Sequence, residues 1–405
     1  MSTDLAQIRE SNRDAPHSAP SLGALFELGF RPLYPLGIAW SVVAVATWVF
    51  APAFDHGQLA GPWWHAHEMV WGFVATIAVG FLFTAVPNWT GRPTPRGAWL
   101  AAFVVDWLLA RAGLWLGGRW FLPAGLLDVA FFVAAAIACL HPIVQARNWR
   151  NLGVPIVLLA LAAADGGYLR AVASGDFDTL SRALDAGLLL VAMLSALVGR
   201  RVIPFFAMRA VPGLELNREV ATGWASVILL LAAGALQALG IAPGIEAALL
   251  FASAAVMAWQ LLRWKPWRVA GRPLLWILYL GYAGLAAGIA ALGAQAAGLP
   301  VPDSLWIHIL AVCGFSLLIL GMTTRSSLGH LGRALRLDRW SLASYFLLLA
   351  AAVLRVLALV PQPFAGAALQ ASAIAWACAC GVFVGRYGPW MIRPRSDARS
   401  PGHHR

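Results

Sequence analysis

The stretch WWHAHEMVWGFVATIAVGFLFTAVPNWTGR, residues 63–92, decides the fold class of this chain. It carries a polar cluster at each end, and residues 69–87 between them include no charged side chain. An α-helix rises about 1.5 Å per residue, so the segment from His67 to Asn88 covers about 31 Å, which matches the roughly 30 Å of hydrocarbon in a bilayer. We therefore predict a helix that crosses a membrane with a polar cluster at each surface.

The composition extends this prediction to the whole chain. Hydrophobic residues make up 60% of the 405 positions and charged residues only 12%, whereas about a quarter of a soluble domain is charged. A backbone in lipid must satisfy its own hydrogen bonds, which favours helices. We predict an all-α, polytopic bundle of about 12 spans, at residues 33–53, 67–88, 98–117, 121–143, 151–172, 181–199, 221–240, 243–263, 273–294, 304–323, 341–360 and 364–386.

The distribution of positive charge predicts the orientation of the bundle. Of the 29 Lys and Arg residues, two lie within predicted spans, 24 lie on the side of the N-terminal segment and three lie on the other side. Cytoplasmic loops are enriched in Lys and Arg, so both termini are predicted to be cytoplasmic. The formal charge of +11 is thus a topology signal, and no nucleic-acid partner is expected.

This division gives one transmembrane domain, residues 23–390, between a short polar cytoplasmic tail at 1–22 and a basic cytoplasmic tail at 391–405. The longest loop, roughly 200–220, contains Pro204 and Pro212, which are predicted to break any helix there. We expect this loop to lie on the cytoplasmic leaflet of the bilayer.

Candidate ligands for a metal lie at the predicted outer ends of two spans. His65, His67, Glu68 and Met69 open the second span, and His308 lies about one turn inside the tenth. Imidazoles bind haem iron and copper, and a thioether suits the same metals. Residues two apart on a helix point about 200° apart, so His65 and His67 are not expected to ligate one metal from a regular helix. The alternative is an interfacial His/Trp cluster without a metal.

Small residues repeat every four positions along the second span, at Gly72, Thr76, Gly80 and Thr84. Such a stripe permits close approach of another helix or of a flat macrocycle. Glu68 continues the stripe outward, and we expect His308 of the tenth span to face it.

A second group of polar residues lies at the predicted cytoplasmic face: His330, Arg333, Asn88, Arg92 and Arg201, with His141 and Met322 near them. Arginine beside histidine suits haem propionates or another anion, and equally suits lipid headgroups. The charged residues within spans, among them Arg111, Asp128 and Asp165, are predicted to be paired structural groups rather than a proton relay.

Several sequence blocks resemble a known family. FRPLYPLG (30–37), WHAHEMVWGF (64–73), GFLFTAVPNWTGR (80–92), GRRVIPFF (199–206) and HILAVCGFSLLILGMTTRSSLGHLGR (308–333) are similar to the signature blocks of NnrS, a family of bacterial inner-membrane proteins associated with nitric-oxide stress and denitrification. The blocks run from the first span to the loop after the tenth.

The resemblance implies a twelve-span protein of the inner membrane that contains haem and copper, is made in response to nitric oxide and protects cells against nitrosative stress. We expect the haem to be of b type and nitric oxide to be the ligand, because nitric oxide binds ferrous haem and cuprous copper. The matching candidates are His65, His67, Glu68 and Met69, with His308 and His330. The leading hypothesis has the haem held by one of His65 or His67 and by His308.

Two alternatives from other classes stay open. One is a transporter or permease whose intramembrane charges line a substrate path. The other is an enzyme that reduces nitric oxide with quinol as donor. The sequence does not decide whether nitric oxide is sensed, sequestered or turned over. A copper centre of the haem-copper oxidase type is not expected, because spans six and seven contain no histidine.

Overall fold

The structure is a computed structural model, and it describes residues 19–52, 58–59, 61–217 and 220–397. Over these ranges the regular structure is helical, and they contain no β-strand. Most of the predicted N-terminal tail, and residues 398–405 of the predicted C-terminal tail, fall outside the described residues. The all-α fold class is therefore confirmed for the described part of the chain.

Twelve helices in the described ranges are long and apolar enough to cross a membrane. In chain order they are α1 Phe30–Phe50, α2 Gly61–Thr90, α3 Ala98–Leu116, α4 Gly118–Gln145, α5 Trp149–Ser174, α6 Phe177–Ala210, α7 Val220–Leu239, α8 Pro243–Arg263, α9 Pro273–Ala296, α10 Leu305–His330, α11 Arg339–Leu357 and α12 Ala365–Met391. Each corresponds to one predicted span, so the chain is a multi-pass membrane protein.

Helix α6 differs from the prediction because it continues through Pro204 to Ala210. A proline inside a helix removes one hydrogen bond, but membrane helices tolerate it where neighbouring helices cover the segment. Ile203 and Ala207 are buried on either side of Pro204, so packing offsets the lost bond. The predicted loop at 200–220 is therefore wrong over its first half.

Helix α2 is deeply buried in the bundle, because 83% of its most apolar stretch is buried. Its small-residue stripe packs on α1 and α3. The Thr76 hydroxyl accepts a hydrogen bond from Trp107 of α3 at 2.9 Å, and the Thr84 hydroxyl accepts one from the Phe30 backbone N–H of α1 at 3.2 Å. A Cβ at Gly80 would lie 3.0 Å from Leu33 of α1.

The stripe thus serves helix packing, and the expectation that His308 faces it is wrong. Glu68, at one end of the stripe, points toward Trp40 of α1 and Arg111 of α3. The physical reason is that two neighbouring helices already occupy the close approach that small residues permit. The opposite face of α2 lines cavities that α10 also lines.

Helices α9 and α10 also meet through glycines. A Cβ at Gly288 would lie 2.7 Å from the Leu310 backbone, and a Cβ at Gly284 would collide with the backbone carbonyl of Cys313. Both positions therefore require glycine. This close contact holds the half of α10 that begins with His308 at a fixed distance from α9.

Arg31 ties the beginning of α1 to the end of α12. The fully buried guanidinium donates to the backbone oxygens of Met391 at 3.0 Å and Arg393 at 2.7 Å. The first and last spans consequently lie side by side and close the bundle.

Candidate functional site: a histidine-lined cavity beside a buried charge network

The two helices predicted to supply ligands, α2 and α10, each contain a π-helical segment directly after a histidine. In α2 the segment is Glu68–Ala75, after His67, and in α10 it is Ile309–Phe315, after His308. A π-segment costs hydrogen-bond geometry and occurs mostly as single turns at functional sites. Two such segments, on the two helices predicted to supply ligands, mark this end of the bundle, which we call the histidine end.

A hydroxyl side chain terminates each π-segment in the same way. Thr76 donates to the carbonyl of Trp71 at 2.9 Å, and Ser316 donates to the carbonyl of Ala311 at 2.7 Å, five residues back in both cases. A widened turn leaves backbone carbonyls poorly paired, and these hydroxyls satisfy them. The sequence thus encodes the return from π to α geometry in both helices.

His65 and His308 line one cavity at the histidine end. It has a volume of about 570 Å³ and lies between α2, α6, α10, α11 and α12. Met69 also lines it, together with Arg355 of α11. This size falls within the range of about 300–1,000 Å³ that is usual for small-molecule and cofactor sites, and the wall is mostly apolar with a few polar groups.

The hydrogen bonds of His308 fix the tautomer of its ring. Nδ1 lies 2.7 Å from the carbonyl oxygen of Ser304, so Nδ1 carries the proton and donates it. Nε2 then keeps its lone pair and accepts a hydrogen bond from Arg355 at 2.8 Å. Metal-ligating histidines are commonly oriented by such a bond from Nδ1 to a backbone carbonyl.

His65 has a similar arrangement with a longer bond. Its Nδ1 is 3.4 Å from the carbonyl oxygen of Ala44, and its ring stacks on Trp48 of α1 with the ring planes inclined by 20°. Two imidazoles from different helices therefore line the same cavity, and each has its Nδ1 directed at a backbone carbonyl.

His67 points away from this cavity into a buried network of charges. Its Nδ1 is 3.0 Å from Glu68, and its Nε2 is 2.9 Å from Asp165 and 3.5 Å from Asp128. Arg111 pairs with Glu68 at 2.7 Å and with Asp128. The divergence of His65 and His67 follows the 200° expected from their spacing.

The charges in this network do not balance. The side chains of His67, Glu68, Arg111, Asp128 and Asp165 are at most 2% exposed. Both nitrogens of His67 face carboxylates, which only accept hydrogen bonds, so the ring is cationic. Three carboxylates against two cations leave one negative charge, and a buried unpaired charge is costly in lipid. A proton or a bound cation must supply the balance.

A bound cation would replace the proton on Nε2 of His67, because only a ring nitrogen without a proton can be a ligand, and His67, Asp128 and Asp165 would then hold it. One ligand atom from each lies within 4.8 Å of the others. Oδ1 of Asp128 and Oδ2 of Asp165 have no hydrogen-bond partner in the described structure. The prediction that intramembrane charges are paired holds for Arg111, with Glu68 and Asp128, while Asp165 pairs with His67.

The residues predicted at the other end of the bundle, which we call the arginine end, do not form one site. Arg333 lies over the ring of Trp390 at 3.7 Å, and the ring of His330 lies 5.6 Å from that of Phe30. The other predicted residues have separate surroundings. The Asn88 side chain donates to the Thr84 carbonyl, and Arg201 donates to Asn151. Arg92 and His141 are exposed, and Met322 lines a small apolar cavity.

Sequence reasoning did not assign Arg355 to the histidine site or Trp40 to the charge network. Arg355 interrupts the apolar span α11, which signals a function, but nothing in the sequence shows that its partner is His308, 47 positions away. Trp40 donates to Glu68 at 2.5 Å from another helix. Such contacts depend on which helices are neighbours.

Together, the fold and the site define a multi-pass helical membrane protein with a histidine-lined cavity next to a buried, charged cluster. The family model described as NnrS protein matches residues 24–395, so the chain belongs to the NnrS family. The match includes the last two helices, which the sequence blocks did not cover. No curated protein matches the chain. The family identifies a membrane protein of the nitric-oxide response.

Proposed function

We propose that this protein binds haem in the cavity at the histidine end and protects the cell by capturing nitric oxide there. The observation that carries the proposal is that His65 and His308, from different helices, line one cavity of about 570 Å³. In the proposed membrane orientation the protein lies in the bacterial inner membrane, both termini are cytoplasmic and the cavity is near the periplasmic surface.

The residues present fit a haem. The Nδ1 atoms of both histidines are directed at backbone carbonyls, so Nε2 is the atom that would bind iron. Nε2 of His308 accepts a hydrogen bond from Arg355, and haem binding would require that guanidinium to move aside. The cavity wall is largely apolar, and Arg355 supplies a cation that can pair with an anionic group. Haem iron, when bound, supplies a site for diatomic ligands. The protein's own residues hold the ring, exclude water and fix the tautomer of each imidazole.

The structure favours His65 over His67 as the partner of His308. Both nitrogens of His67 are engaged by carboxylates, whereas Nε2 of His65 has no such partner. Copper is proposed at the same end, with Met69 as a soft ligand beside the histidines of the cavity. Whether nitric oxide is also reduced, with quinol as donor, depends on an electron source and is a separate experiment.

The test is an absorption spectrum and metal analysis of purified wild-type protein and of four variants. We expect a Soret band that His308→Ala and His65→Ala remove or shift, because each loses an iron ligand. His141→Ala is the matched control, since His141 is exposed. A wild-type preparation without haem or copper contradicts the proposal, and loss of the band in His67→Ala with no change in His65→Ala reverses the assignment of the ligand.

A specific observation supports a second candidate function, transport of a proton or cation. The network around His67 carries one negative charge in excess, and intramembrane ionisable groups commonly mark ion pathways. This candidate predicts flux in proteoliposomes from protein that lacks a chromophore, and it predicts that Asp165→Asn abolishes the flux. Flux that persists in Asp165→Asn excludes this network as the pathway.

A further inference from the structure

A second large cavity lies at the arginine end, at the opposite end of the bundle from the histidine site. Its volume is about 540 Å³, and its walls come mainly from the start of α5 and from α6, α7 and α8. Three arginines line it, together with two amides and two indoles: Arg150, Arg200, Arg201, Asn217, Gln260, Trp224 and Trp264. Among the described lining residues, the three positive charges have no Asp or Glu beside them.

Arg200 is fixed in place by helix α7. Its guanidinium lies 4.6 Å from the ring of Trp224, and a Cβ at Gly223 would approach Arg200 to 2.8 Å. The absence of a side chain at Gly223 is therefore what lets the guanidinium lie against the backbone of α7. Nε of Arg200 is buried and has no hydrogen-bond partner.

Arg201 is oriented from the other side of the cavity. One terminal nitrogen donates to the side-chain oxygen of Asn151 at 2.7 Å, and the other donates to the Arg150 carbonyl at 3.5 Å. These bonds go to neutral acceptors and leave the positive charge uncompensated. The two arginines are consecutive in α6, and contacts from α7 and from the start of α5 position them around one cavity.

Gln260 provides an independent sign of a ligand. It is only 2% exposed, and its Oε1 accepts a hydrogen bond from the Tyr282 hydroxyl at 2.5 Å. This bond fixes the amide so that Nε2, a donor, is the free end, and Nε2 has no partner in the described structure. A buried donor without an acceptor costs about 1–3 kcal/mol, and an acceptor bound in the cavity would remove this cost.

We propose that this cavity binds the phosphate group of an anionic ligand. Guanidinium groups and amide donors are the protein groups that bind phosphate best, and such charge-assisted bonds are the strong ones. The apolar residues on the same cavity favour a lipid as the source of the phosphate. Phe205 is 45% exposed and Val220 is 58% exposed, which gives an acyl chain an apolar surface beside the arginines.

The experiment measures lipid and phosphate binding to purified full-length protein. Native mass spectrometry with phosphatidylglycerol and with phosphatidylcholine compares wild type with Arg200→Gln and Gln260→Glu. We expect selective retention of phosphatidylglycerol by wild type and about tenfold weaker binding by each variant, since one charge-assisted bond is lost. Arg209→Gln is the control, because Arg209 is on the same helix but does not line the cavity.

Gln260→Glu keeps an oxygen for Tyr282 and replaces the free donor with an acceptor, so it tests binding even if Arg200→Gln fails to fold. A thermal-shift titration with inorganic phosphate distinguishes the source of the ligand. Stabilisation by phosphate that both variants lose identifies a soluble anion as the ligand. The proposal is overturned if neither ligand binds wild type, or if Arg209→Gln weakens binding as much as the two cavity variants do.

Discussion

Replacing Arg111 by methionine tests the charge network directly. In wild type this guanidinium pairs with Glu68 at 2.7 Å and with Asp128, and all three side chains are at most 2% exposed. The variant leaves three carboxylates with only His67 as a cation. Removing one partner of a buried ion pair costs about 3–5 kcal/mol, and Arg111 has two partners, so we expect a loss of at least about 4 kcal/mol in the free energy of unfolding.

The assay is reversible unfolding in mixed micelles, followed by tryptophan fluorescence. The double variant Arg111→Met with Asp128→Asn removes one positive and one negative charge, so the net charge of the network equals that of wild type. We expect it to recover at least about 2 kcal/mol of the loss. Arg119→Met is the control, because Arg119 is exposed and should change stability by less than about 0.5 kcal/mol. A loss below about 1 kcal/mol in the single variant, or no recovery in the double variant, refutes the coupling described here.

Two further variants test packing and capping. Gly284→Ala introduces a methyl group against the Cys313 carbonyl, so we expect α9 and α10 to separate. The free energy of unfolding should fall by about 1–3 kcal/mol, and haem retention on gel filtration should weaken. Unchanged stability and retention would contradict the close contact. Asp338→Ala removes the N-cap of α11. Desolvation raises the pKa of Asp338, but the Ser341 N–H and Arg386 outweigh it and hold the pKa below its ordinary value. The carboxylate therefore stabilises the fold above its unfolded pKa, and this contribution is lost as pH falls through the folded pKa. We expect the variant to lose about 1 kcal/mol at neutral pH and to match wild type at strongly acidic pH in thermal unfolding scans.

The sequence predicted the helices well because membrane spans are set by length and hydropathy alone. All twelve correspond to helices in the structure, and most ends agree to within about three residues. The exceptions are the start of α2 and the ends of α6, α10 and α12, where the helix is longer than predicted. The error at Pro204 arose because tertiary packing, which the sequence does not display, compensates for one missing hydrogen bond. The inside location of the termini rests on loop charges and stays a prediction.

For the candidate site, the sequence indicated individual residues but not which of them contact each other. The spacing of His65 and His67 correctly separates their directions, since two residues on a helix differ by about 200°. That His67 meets Asp165, and that His308 meets Arg355, depends on which helices are neighbours. A periodic pattern shows the apolar face of each helix but not the helix that packs on it. The sequence therefore showed the charged residues within the spans but not which of them pair.

The two π-segments set the rotational phase of the histidines. A π-turn is equivalent to one residue inserted into an α-helix, and each residue turns an α-helix by about 100°. Deleting one residue from Glu68–Ala75 would restore a regular α-helix. His65 and His67 would then rotate together by about 100° relative to the half of α2 at the arginine end. His65 would then leave the cavity and His67 its carboxylates. One inserted residue in each helix thus determines which way these histidines face, independently of the packing that holds the helices together at the arginine end.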